Sequence, residues 1–122
     1  MIPAMRRLVL LLLLASCGTP AGLANGRWFG AMTPDPAAPG CPPGRASLVA
    51  TRNGVLFTPN EGTRTLEGAS VPQDGTIAAE RTTTGTDKKP YVTRLAARLA
   101  DSAVTGTYTT PRCSYAVKLT RP

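Results

Sequence analysis

Turn-forming residues recur about every 8 to 12 residues from Ala46 to the C-terminus, and this spacing limits the fold more than any other feature of the chain. Asn53-Gly54, Pro59-Asn60-Glu61-Gly62, Pro72-Gln73-Asp74-Gly75, Thr84 to Pro90, Asp101-Ser102 and Thr110-Pro111-Arg112 all join residue types that bend the backbone by local hydrogen bonding or fixed φ. The segments between them are mostly of strand length. They suit strands, and the 17 threonines of the chain agree, because β-branched side chains pack well on a pleated surface.

The strands expected on this basis are Arg27 to Met32, Ala46 to Thr51, Val55 to Thr58, Thr63 to Ser70, Thr76 to Thr82, Tyr91 to Ala100, Ala103 to Thr109 and Cys113 to Thr120. Asn53-Gly54 predicts a two-residue type I′ hairpin, since both residues tolerate positive φ. Tyr91 to Ala100 fits two periods. As a strand it sets Tyr91, Thr93, Leu95, Ala97 and Leu99 on one face and Arg94 and Arg98 on the other; as a helix it sets Val92, Leu95, Ala96 and Leu99 together. Tight turns on both sides and the bounding Pro90 and Asp101-Ser102 favour the strand. Eight consecutive strands joined by short connections predict an all-β fold, a small up-and-down eight-stranded barrel, because closure removes exposed edges.

The N-terminus has a different character. Arg6 and Arg7 precede the unbroken apolar run Leu8 to Leu14, and small residues follow, which is the pattern of a secretory signal peptide. The run is too short to span a membrane as a helix, which takes about 20 apolar residues. Leu14-Ala15-Ser16-Cys17 resembles the lipobox of bacterial lipoproteins. That resemblance implies acylation of Cys17, removal of residues 1–16 and a membrane anchor. Gly18 after the cysteine implies sorting to the outer membrane, facing the periplasm. The alternative is ordinary cleavage after Ala24, with Gly22 and Ala24 as the small residues, and release of a soluble protein. Residues 17–26 then read as a flexible tether and 27–122 as one domain.

An exported chain meets an oxidising compartment, so Cys41 and Cys113, the cysteines left beside Cys17, are expected to form a disulfide. Such a bridge matters here because Leu, Ile, Val and Phe together supply only 16 of residues 17–122, a thin core for a domain of this size.

Gly26-Arg27-Trp28 at the head of the first strand resembles the Gly-x-Trp motif of lipocalin-like barrels. The resemblance implies that Trp28 plugs the barrel floor and that a basic residue of the last strand, Lys118 or Arg121, packs over it. Read alone, Trp28 is a core anchor. In size the chain is nearer the small lipocalin-like inhibitors of periplasmic metalloproteases, single-disulfide proteins whose bridge, unlike this one, is local.

Chemistry is restricted by what is missing. With no histidine, imidazole-based general bases and His-ligated metals are excluded. Only Glu67 and Glu80 of the seven carboxylates fall in expected strands. Ser114 and Lys118, four apart on one strand face, are separated by about 13 Å, too far for proton exchange. No catalytic residue, cofactor site or metal site is therefore assigned, and an enzyme is not expected.

Charge is uneven. Residues 17–87 carry five basic and six acidic groups, whereas residues 88–122 carry seven basic and one acidic. Lys88, Lys89, Arg94, Arg98, Arg112, Lys118 and Arg121 are thus candidate contacts for an anionic surface or an acidic envelope protein, the plain alternative being a solvated face. Nucleic acid is not an expected partner, since the compartment lacks it and stacking aromatics are few. The expected function is that of a non-catalytic binding or inhibitory module held at the membrane. The second reading is a structural envelope component that supports a membrane complex through its basic C-terminal strands.

Overall fold

Each alternating run folds as a strand with its apolar positions turned to one side. In the computed structural model, which describes residues 24–37, 39–60 and 64–122, the strands are β1 Gly26–Pro34, β2 Gly44–Thr51, β3 Gly54–Pro59, β4 Leu66–Gly68, β5 Thr76–Thr84, β6 Pro90–Ala100, β7 Ala103–Thr109 and β8 Ser114–Thr120. They form one closed barrel in sequence order, every neighbouring pair antiparallel, with β1 returning to pair with β8. The all-β, up-and-down, eight-stranded architecture with one Cys41–Cys113 disulfide is as the turn spacing and cysteine count predict. Cys17 and the rest of the signal segment lie outside the described residues.

β6 settles the segment that fitted two periods. Thr93, Leu95 and Leu99 are buried while Arg94, Ala96 and Arg98 are exposed, which is the period of a strand. The interior is packed with side chains. Trp28, Met32, Leu48, Val55, Phe57, Leu66, Ile77, Leu95, Val104 and Leu119 are all fully buried. One interior row runs Trp28, Leu48, Phe57, Leu66 across β1 to β4. Another runs Ile77, Ala97, Gly106, Val117, Met32 around the remaining wall, so small residues on β6 and β7 sit among bulkier neighbours. This mixing of sizes is how a narrow barrel fills without overpacking.

Two local expectations change. The hairpin between β2 and β3 turns at Arg52-Asn53, with Thr51 paired to Gly54, and is not a type I′ turn on Asn53-Gly54. Thr51 Oγ1 accepts the Asn53 N–H at 3.1 Å and holds the bend without positive φ at Asn53, leaving the special backbone to Gly54 at φ 148°. Positive φ at both central residues is found instead at Asp101 (52°) and Ser102 (64°) between β6 and β7. The second change is in β4. Of the expected strand Thr63 to Ser70, only Leu66–Gly68 is strand among the described residues, and its sole register partner on β5 is Glu67 with Glu80. Beyond that pair, β5 has no β4 register partner from Arg81 to Thr84 among the described residues.

Candidate functional site

Up-and-down topology gives the barrel two ends of different chemistry. The floor holds the start of β1, the Arg52-Asn53 turn, residues 69–75, the Asp101-Ser102 turn and the C-terminus. The mouth holds residues 35–37 and 39–43, the described ends of the β3–β4 connection (Asn60, Arg64 and Thr65), residues 85–89 and residues 110–113.

At the floor Trp28 is almost completely buried, and its indole Nε1 donates to the Ala24 carbonyl at 2.9 Å. Ala24 is itself buried against the core. The Arg121 guanidinium carbon lies 4.4 Å from the centre of the Trp28 ring. Of the two basic residues considered for that position, Arg121 takes it; Lys118 is an exposed outward residue of β8. A cleft of about 510 Å³ opens beside Arg121 and the Asp101-Ser102 turn, outside the packed interior.

At the mouth the disulfide, with Cα atoms 5.9 Å apart, ties the β1–β2 loop to the β7–β8 loop, and the Asp35 N–H donating to the Ser114 carbonyl at 2.8 Å continues the β1–β8 seam. Below the rim Tyr108 stacks on Tyr115, ring centres 5.9 Å apart, and meets Phe57 at 5.4 Å. Burial, and next the neighbouring Tyr115, pushes the Tyr108 phenol above its ordinary pKa.

Two arginines border the gap between β4 and β5. Arg81 shares the inward phase of Ile77 and Ala79, and its guanidinium donates to the Thr65 carbonyl at 3.4 Å. Arg64, from the β3–β4 connection, donates to the Tyr91 hydroxyl at 3.0 Å. Neither meets a carboxylate, for among the described residues the ion pair present is Arg94 with Glu80 at 3.3 Å, both exposed. Nearby, Thr83 Oγ1 is buried without a hydrogen-bond partner.

The seven basic candidates do not form one surface. Lys88, Lys89 and Arg112 belong to mouth loops. Arg94 is neutralised by Glu80. Arg98 and Lys118 both flank Thr105 across β6, β7 and β8, about 10 Å apart by strand spacing, and Arg121 is at the floor. Asp74, whose carboxylate accepts the Thr76 N–H at 2.9 Å, has its pKa lowered mainly by that bond, with Arg98 adding a smaller attraction. Glu67 and Glu80 are both exposed on the outer wall. Among the described residues no three Cys, Asp or Glu side chains gather where they could hold a metal.

The mouth cluster of Arg64, Arg81, Thr83 and Tyr91 was not singled out by sequence reasoning. A signal for part of it existed: with Thr76 to Thr82 read as a strand, strict alternation from Ile77 through Ala79 brings Arg81 to the inner face. No known protein family matches this chain, and no curated protein or solved structure is similar to it at a significant level.

Proposed function

We propose that this chain is a lipoprotein of the bacterial envelope, anchored through acylated Cys17 and sorted to the outer membrane, whose barrel is a non-catalytic binding or inhibitory module. The observation that carries this reading is Ala24. Its carbonyl accepts the Trp28 indole N–H and its side chain is buried in the floor. Cleavage after Ala24 would remove that residue and leave a buried indole donor short of its partner, at a cost of about 1–3 kcal/mol. Processing at Cys17 keeps it.

A barrel packed with side chains leaves its rim and loops to meet a partner. The described chain enters the barrel at the floor, the end opposite the disulfide-tied mouth. Two or more acyl chains, at about 0.8 kcal/mol per methylene, would make that attachment durable.

Growth with radiolabelled palmitate tests the anchor. The chain should take up label and sediment with membranes, and Cys17→Ser should abolish both. An unlabelled mature chain whose N-terminus by mass spectrometry is Asn25 would overturn the lipoprotein reading. Capture from an envelope extract tests the module: an inhibitor retains a soluble protease, and retention of membrane subunits alone would point to the structural role.

A further inference from the structure

We infer that the barrel mouth binds a phosphate group between Arg64 and Arg81, with Tyr91 and Thr83 as neutral hydrogen-bond donors. Register places the partners together. Arg81 pairs with Thr93 and Thr83 with Tyr91 on adjacent strands, so these four residues form one block on the inner face, about 5 Å across the strands and about 7 Å along them. Arg64 reaches the same block from the β3–β4 connection through its 3.0 Å bond to the Tyr91 hydroxyl. Both arginine contacts are solvent-exposed, so a ligand has access.

The donor inventory exceeds what the fold uses. Each guanidinium carries five N–H groups. Arg64 gives one nitrogen to Tyr91 and Arg81 gives one to the Thr65 carbonyl, both neutral acceptors. The Tyr91 hydroxyl, having accepted from Arg64, keeps its own hydrogen for a further acceptor, and the buried Thr83 hydroxyl has no partner at all. Fixing the β3–β4 connection across the gap beside β5 explains one bond per arginine. Among the described residues it leaves both guanidinia without a carboxylate partner.

Charge count selects the ligand. A carboxylate carries one negative charge on two oxygens and is satisfied by a single bidentate arginine. A phosphate monoester or inorganic phosphate carries about −1.5 to −2 at pH 7 with three terminal oxygens, which matches two guanidinia and two hydroxyls. The site needs no acylation at Cys17 and stands independently of the anchor.

The test is a titration of the cell-processed chain in a neutral maltoside detergent, followed by backbone amide NMR. Inorganic phosphate should give saturable shifts centred on Arg64, Arg81, Thr83 and Tyr91. Arg81→Gln and Arg64→Gln should each weaken binding by about tenfold or more. Thr83→Val, which leaves both arginine contacts in place, should weaken it by about two- to tenfold. Dihexanoyl phosphatidic acid, kept below its micelle concentration, identifies the source. Binding tenfold tighter than inorganic phosphate assigns a lipid headgroup, and equal binding assigns free phosphate or a soluble monoester. Shifts that fail to saturate, that acetate reproduces at equal ionic strength, that centre on Lys88 and Lys89, or that persist in Arg81→Gln and Thr83→Val would overturn the assignment.

Discussion

Replacing Cys41 and Cys113 together by alanine removes the covalent link between the β1–β2 and β7–β8 loops, the two loops that flank the β1–β8 seam. The two cysteines are 72 residues apart in sequence. On the loop-closure model a cross-link of that span removes entropy from the unfolded chain equivalent to about 4 kcal/mol at 25 °C. A domain of this size has a total stability of about 5–15 kcal/mol, so the bridge supplies a quarter or more of it. Lost packing adds little, because both cysteines are only half-buried at the core's edge. With a urea slope of about 1 kcal/mol per molar, the midpoint should fall by about 4 M, which leaves a marginal fold partly open before denaturant is added. The assay is urea unfolding of the double alanine variant beside the oxidised parent, read by Trp28 fluorescence. Both cysteines are changed because a single replacement leaves a free thiol that can cross-link chains. A midpoint shift below about 1 M at unchanged slope would refute the reasoning, since it would mean that the unfolded chain gains little freedom when the bridge is gone.

Gly30→Ala would set a methyl on the Lys118 carbonyl oxygen of the neighbouring strand, backbone that cannot swing aside. The cost should be about 3 kcal/mol, seen as a melting temperature lower by about 10 °C or more, and a change under 2 °C would count against the tight β1–β8 approach. Arg121→Gln should cost about 0.5–2 kcal/mol and alter the emission of Trp28, the single tryptophan; an unchanged spectrum would contradict the stacked geometry. In an ultraviolet titration Tyr108 should ionise above the ordinary phenol value, because burial disfavours its phenolate. Because its folded pKa is raised, its contribution is complete below the ordinary phenol value near 10 and is lost as pH rises through the folded value, so Tyr108→Phe should flatten the alkaline fall in urea midpoint. A double-mutant cycle on Arg94 and Glu80, both well exposed, should give a coupling below about 1 kcal/mol, and a larger value would show that the pair is less screened than its surface position implies.

The strands were legible because a barrel wall obeys one local rule, period-two burial between turns, and that rule needs only neighbours in sequence. The short Gly26-Arg27-Trp28 motif implies a basic residue over Trp28 but leaves Lys118 and Arg121 open, and Arg121, just past β8, is the one found there. What escaped was set by partners far along the chain. Thr63 to Ser70 reads as one long strand, yet among its described residues only Leu66–Gly68 is strand, with Glu67 opposite Glu80 on β5. Asn53-Gly54 carries the strongest turn signal, yet Thr51 captures the Asn53 amide and moves the bend back one residue. The basic C-terminal third reads as one charged face, but on a closed wall its members are dealt to mouth, outer surface and floor. Conversely, Arg64 and Tyr91 are 27 residues apart and nothing local predicts their contact.

The scarcity of large aliphatic residues, which in sequence suggests a marginal fold, has a geometric counterpart in the barrel. An eight-stranded barrel has room for its own side chains or for one small ligand, and where strands approach as closely as β6 and β7 do at Ala97 and Gly106, larger residues would not fit. The few bulky groups are then placed where they close the ends: Trp28 under Arg121 at the floor, and Tyr108 with Tyr115 below the mouth. With the interior lined by fully buried side chains, the proposed binding role falls to a rim. Of the two rims, the floor uses its arginine to cover the tryptophan. The mouth keeps two arginines whose described partners are neutral oxygens, on the β4–β5 side of the wall. The disulfide ties the β1–β2 and β7–β8 loops instead, so its loss should leave phosphate binding between Arg64 and Arg81 largely unchanged at temperatures where the barrel stays folded, and a marked loss there would show that the whole rim acts as one unit.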